Sequence, residues 1–97
     1  MVIIYKVRIK QGVVGAFQKL ADETLIPEAR KSSGCQLFSL YQNTSDKHEF
    51  IFHELWDNAS SVHTYKENLI KILGNPHPGE KFPAIMNDLI EADEDLA

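Results

Sequence analysis

The sequence is short of several things, and each shortage removes a class of function. It has one cysteine, Cys35, so the chain cannot close a disulfide on itself, and a cysteine-based metal site would lack ligands. Four histidines are scattered, with no two at metal-ligand spacing beside a carboxylate, so no metal is expected. There is no basic excess. Ten Lys and Arg face fourteen Asp and Glu, a formal charge of −4, which argues against a dedicated nucleic-acid binder. No apolar run approaches the ~18 residues of a membrane span. The opening MVIIYKVRIK is charged by Lys6 and has no long apolar core, unlike a signal peptide, so a cytoplasmic protein is expected. Gly12 and Gly15 do not make a phosphate-cradling loop.

What remains is ordinary globular composition, 43% hydrophobic and 25% charged, in 97 residues. That fits one domain, residues 1–97. A chain of this size buries only roughly 60–65% of its unfolded surface, so its core is thin and self-association would add burial.

Val2 to Lys10 alternates, with Ile3, Tyr5, Val7 and Ile9 on one side and Lys6, Arg8 and Lys10 on the other, which predicts a strand. Val13 to about Ser32 is helical, with Phe17, Leu20, Ala21, Thr24 and Leu25 on one face. Pro27 predicts a kink there, or a helix that ends near Leu25 and restarts. Gly34 is a plausible stop. Cys35–Gln42 and Glu49–Trp56 form a hairpin across the turn-forming run Asn43 to Lys47. The strand from Glu49 is apolar on both faces: Phe50, Phe52 and Trp56 on one, Ile51 and Leu55 on the other. A strand of that kind is normally covered on both faces, and one helical layer covers only one. A second copy of the chain is the expected second cover. Asp57 or Asn58 caps the next helix, whose apolar stripe is Val62, Tyr65, Leu69, Ile72 and Leu73. A loop from Gly74 to Pro83 follows. Phe82, Ile85, Met86, Leu89 and Ile90 then predict a short amphipathic helix. The acidic tail is a poor fourth strand and is expected to end short or fray. The order is most of a ferredoxin-like α+β fold, βαββαβ with an antiparallel sheet.

With that order in place, Gly34-Cys35 at the start of the second strand and the run Phe50, Glu54, Trp56, Asp57, Asn58 resemble the antibiotic biosynthesis monooxygenase (ABM) domain family. The resemblance runs from Val2 to about Glu91. It implies ferredoxin-like domains that pair into a homodimeric α+β barrel. It also implies cofactor-independent oxidation of a small aromatic or quinol-type substrate by O₂. Some relatives instead degrade haem, using an Asn on strand one and a Trp–His pair on the helix, neither of which this chain has. Many members carry a histidine nine positions after the motif tryptophan. That position here is Tyr65, and His63 lies two positions earlier. Either residue could serve, or the chemistry is absent and the chain is a non-catalytic dimeric module that binds a small ligand.

The candidate site follows. His63 and Tyr65 are the expected catalytic pair, for deprotonation and binding. Trp56, Phe52, His53 and Tyr5 are the expected substrate contacts. No cofactor and no metal are expected. Glu54 is out of place on an apolar face, since a buried carboxylate must be paired, hydrogen-bonded or protonated. It is expected to pair structurally, anchoring the dimer through Arg8 or Lys6 of the first strand, or to serve the site.

Overall fold

The computed structural model describes all residues, Met1–Ala97. Four strands form one antiparallel sheet: β1 Val2–Ile9, β2 Cys35–Gln42, β3 Glu49–Trp56 and β4 Ile90–Asp95, in the order β2-β3-β1-β4. Helices α1 Val14–Leu20, α2 Ile26–Arg30, α3 Ala59–Leu73 and α4 Ala84–Asn87 complete the chain. This is the ferredoxin-like arrangement, with the long crossovers between β1 and β2 and between β3 and β4.

Pro27 does not break its helix. Between α1 and α2 the chain makes a wide π-helical turn, Ala21–Leu25, in which the Ile26 amide bonds back to the Ala21 carbonyl. Proline lacks the N–H that the next bond would need, so a wide turn ahead of it, with Pro27 in the first turn of α2, loses little. Gly34 then reverses the chain at φ +86°, and a Cβ there would overlap the Ser61 side chain. That close approach seats the start of α3 against the start of β2. Asn58 is the cap of α3, its Oδ1 accepting the Ser61 amide at 3.0 Å.

Strand alternation sorts the core. Val7, Ile9, Phe38, Phe50, Phe52, Glu54 and Trp56 point to the helices and are all buried. Phe17, Ala21, Leu25 and Ala29 meet them from the first helical run, and Val62, Tyr65 and Leu69 from α3. Seventeen of 97 residues are buried, which makes the core as thin as the length requires.

Two expectations are corrected at the C-terminal end. The amphipathic helix is only the four residues of α4, because Ile90 is taken into β4 opposite Ile9. The acidic tail does form the fourth strand. Its main chain pairs with β1 from Ile90 to Asp95, and Leu96 and Ala97 continue the bonding to Ile4. Cations offset its charge: Lys6 Nζ lies 3.5 Å from Glu94, Arg8 Nε 3.0 Å from Glu91 and Lys81 Nζ 2.6 Å from Asp93. Intrinsic strand propensity was overridden by a ready partner edge.

The other sheet face has no helices. It presents Val2, Ile4, Leu37, Tyr41, Ile51, His53 and Leu55, with Val2 50%, Leu37 38% and Tyr41 57% exposed. No helix is long and apolar enough to cross a membrane.

Candidate functional site

A cavity of about 120 Å³ lies between the helix face of the sheet, α3 and the segment 81–86. Its floor is Ile3, Tyr5, Phe38, Phe52 and Glu54, and its walls include Tyr65, Lys66, Leu69, Phe82 and Met86. A dry apolar cavity of about 150 Å³ takes benzene, so this slightly smaller space is limited to a single ring. Tyr5 and Phe52 stack at 4.7 Å between ring centroids and 10° between planes, and Phe82 lies 6.2 Å from Tyr5 at 22°. This aromatic cluster gives the cavity an apolar lining that suits an aromatic ligand.

The polar groups are few. Glu54 is 4% exposed. One of its oxygens accepts the Trp56 indole N–H at 2.8 Å, its one hydrogen bond within the chain. The expected pairing with Lys6 or Arg8 does not occur. Both lie on the opposite face of the sheet, where Lys6 meets Glu49 and Glu94 and Arg8 meets Asp46 and Glu91. Burial raises the Glu54 carboxyl above its ordinary value, while the Trp56 N–H and then the Lys66 charge oppose the rise. A carboxyl raised in this way titrates closer to neutrality than an exposed one.

Tyr65 donates its hydroxyl to the Leu25 carbonyl at 2.8 Å, tying α3 to the π-helical turn. Burial, followed by the Glu54 charge, pushes its phenol well up, so it stays protonated in neutral water. Tyr5 is shifted in the same direction by the same two causes, with smaller contributions from Tyr65, Asp93 and Asp95. Both tyrosines are therefore neutral groups at the cavity and not bases. Among the buried cavity residues, Glu54 is the one carboxyl.

The structure divides the residues singled out in the sequence. It brings Tyr5, Phe52 and Tyr65 together around the cavity. Trp56 is fully buried beneath them, 5.3 Å from the Tyr65 ring, and acts on the site through its bond to Glu54. His63 does not border the cavity. Its side chain is 76% exposed and meets Glu67 across one helical turn at 3.0 Å. His53 is on the uncovered sheet face, opposite Ile4 and Ser39. His48 lies near the β2–β3 turn beside Asp46, and His77 near Asp88. Sequence reasoning missed Lys66, Phe82, Met86 and Asp95 as cavity residues. Phe82 and Met86 carried a signal, being apolar positions beside a proline-rich loop. Lys66 and Asp95 carried none, because nothing local marks a charge that borders a pocket formed by distant elements.

No helix, strand or loop gathers three or more His, Cys, Asp or Glu side chains into a possible metal site.

Among solved structures, the chain resembles a protein from Nitrosomonas europaea at 17% identity, with a TM-score of 0.76 over 98% of this chain and 84% of that one. It resembles a conserved protein from Methanosarcina mazei at 23% identity, with a TM-score of 0.72 over 97% and 85%. A structure described as an antibiotic biosynthesis monooxygenase matches at 17% identity, with a TM-score of 0.71 over 100% and 97%. At such identities the likeness is one of fold. No protein of curated function matches the sequence. The antibiotic biosynthesis monooxygenase family model matches residues 1–68, which hold β1, both halves of the first helical run, the β2–β3 hairpin and the part of α3 that carries Tyr65 and Lys66. By that match over more than half its length, the chain belongs to the antibiotic biosynthesis monooxygenase (ABM) domain family.

Proposed function

We propose that the protein is a cofactor-independent monooxygenase that oxidises a small phenol or quinol with O₂ in the cavity over Tyr5 and Phe52. The observation that carries this reading is Glu54, a buried carboxylate with one hydrogen bond, set in an apolar space of single-ring size. Glu54 takes the proton of the substrate hydroxyl. The neutral Tyr5 hydroxyl donates to the phenolate oxygen that forms. The electron-rich ring then gives one electron to O₂, and the two radicals combine into a carbon–oxygen bond. The peroxide takes the proton back from Glu54. Loss of the ring C–H proton to Glu54 breaks the O–O bond, and the departing hydroxide leaves as water. One oxygen atom ends in the product and the other in water, so a phenol and O₂ give a quinone and H₂O. Tyr65 shapes the pocket through its bond to Leu25 and serves binding. A cavity of single-ring size also speaks against a porphyrin as ligand.

The uncovered sheet face supports a homodimer. Leu37, Tyr41, Ile51, Leu55 and Val2 form an apolar surface that a second copy would cover, and the thin core gains from that burial.

Oxygen uptake with a panel of hydroquinones and single-ring phenols tests the chemistry. The wild type should consume one O₂ per quinone formed, and Glu54→Gln should lose about 100-fold or more in rate, as expected for removal of a general base. Equal uptake in both proteins would remove Glu54 from the mechanism. Ligand binding without uptake in either would leave a non-catalytic binding module, the reading that the absence of a histidine at Tyr65 favours.

A further inference from the structure

Two charges at the rim of the cavity have no ion-pair partner, and they lie at different ends. The lysines that form ion pairs are Lys6, Lys31 and Lys81. Lys81 borders the cavity, but Asp93 holds it at 2.6 Å. Lys66 also borders the cavity and is in no ion pair. On α3 it follows Tyr65 and precedes Ile70 by one helical turn, both of them cavity residues, and it is exposed, so its stem can line the wall while its charge stays in water. Its charge is felt at Glu54. The second free charge, Asp95, pairs in register with Tyr5 and is felt there. The border of the cavity therefore carries an unpaired cation on α3 and an unpaired anion on β4.

We propose that Lys66 is a specificity residue that selects aromatic substrates carrying a carboxylate in addition to the reacting hydroxyl. The carboxylate pairs with Lys66 at the opening, the ring enters the apolar cavity, and the hydroxyl points to Glu54. Asp95 opposes the reverse orientation, because a carboxylate placed at the β4 edge would meet a like charge. An unpaired ammonium beside an apolar wall gives such a ligand an attraction that a neutral isostere lacks. The substrate class is then a hydroxylated aromatic acid of one ring. This deepens the oxygenase reading and rests on it for the identity of the reacting group, but not for binding.

Equilibrium binding separates the two. Titration calorimetry at pH 7, under argon so that no turnover occurs, compares 3- and 4-hydroxybenzoate with 3- and 4-hydroxybenzamide. The wild type should bind at least one acid about three- to tenfold more tightly than its amide, the size expected for a partly exposed charge pair, and the preference should shrink with added salt. Lys66→Gln should bring acid and amide to within about twofold while leaving amide affinity unchanged, and Lys66→Arg should retain the preference. Equal affinities in the wild type, a preference that survives in Lys66→Gln, or no binding of any of the four at millimolar concentration would each overturn the proposal. Acid-selective binding with no oxygen uptake would overturn the oxygenase reading alone. Oxygen uptake with neutral quinols and no acid preference would overturn the role of Lys66 alone.

Discussion

The two faces of the sheet use the same strands for opposite purposes. On β3, Phe50, Phe52, Glu54 and Trp56 are buried under helices, while the intervening Ile51, His53 and Leu55 are only half-buried and face outward. The helix side is closed by aromatic packing around one ionisable group. The outer side is apolar in its middle and bordered by ion pairs, Lys6 with Glu49 and Glu94, and Arg8 with Asp46 and Glu91. Burial of a carboxylate is costly, and the helix side tolerates it at one place only. An exposed apolar middle ringed by charges is the pattern of a surface meant to be covered. On the proposed function, chemistry and assembly would be separated by a single layer of backbone, with adjacent residues of one strand serving each.

The largest expected effect tests that separation. Phe52→Ala removes a fully buried ring that stacks on Tyr5 and meets Phe17 and Phe38 edge-on. It should cost about 3–5 kcal/mol in denaturant unfolding. Ile51→Asp, one residue along, should leave the protomer folded but shift a dimer to monomer in light scattering at micromolar concentration. A wild type that is already monomeric there would break the assembly half of the comparison.

Glu54→Gln comes next, and its sign is opposite. The folded-state carboxyl is raised above its unfolded value by burial, against the Trp56 N–H and Lys66. Below the unfolded value both states are protonated and burial carries no electrostatic cost. As pH rises through the window between the two values, the unfolded state ionises first, and native stability falls. Above the folded value the full cost is present. Gln keeps an oxygen for the Trp56 N–H and cannot ionise. Glu54→Gln should therefore raise stability by on the order of 1 kcal/mol at neutral pH and change little at low pH, while losing oxygen uptake. Thermal melts across the pH range check this, and a stability loss at pH 7 would show that the ionised form is needed for folding.

These contrasts also show which features the sequence made legible. Period two along β1 and β3 gave both faces correctly, because a half-buried strand must alternate. Glu54 stood out as a misfit in that alternation, but its partner could not be read. Trp56 lies two residues along on the same face, whereas Lys6 and Arg8 belong to the other. The fourth strand was illegible for a different reason. Glu91, Asp93, Glu94 and Asp95 are weak strand formers, and only the β1 edge, with Lys6, Arg8 and Lys81, makes the pairing favourable. The cavity rim was illegible because α3, β4 and the segment 81–86 meet only in three dimensions.

The smallest effects separate His63 from Tyr65, the two helix residues that the family pattern left in competition. Asn58 fixes where α3 begins, and from there ~100° per residue turns Tyr65 inward with Val62 and Leu69 and leaves His63 outside. Tyr65→Phe removes the donor to the buried Leu25 carbonyl, which should cost about 1 kcal/mol and loosen the wall of the cavity. His63→Ala gives up one exposed contact with Glu67 and should stay within about 0.5 kcal/mol of the wild type. Its oxygen uptake should match the wild type as well. If His63→Ala instead abolished uptake while Tyr65→Phe did not, a proton acceptor outside the cavity would be at work, and the assignment of the base to Glu54 would have to give way to a site completed by movement of α3.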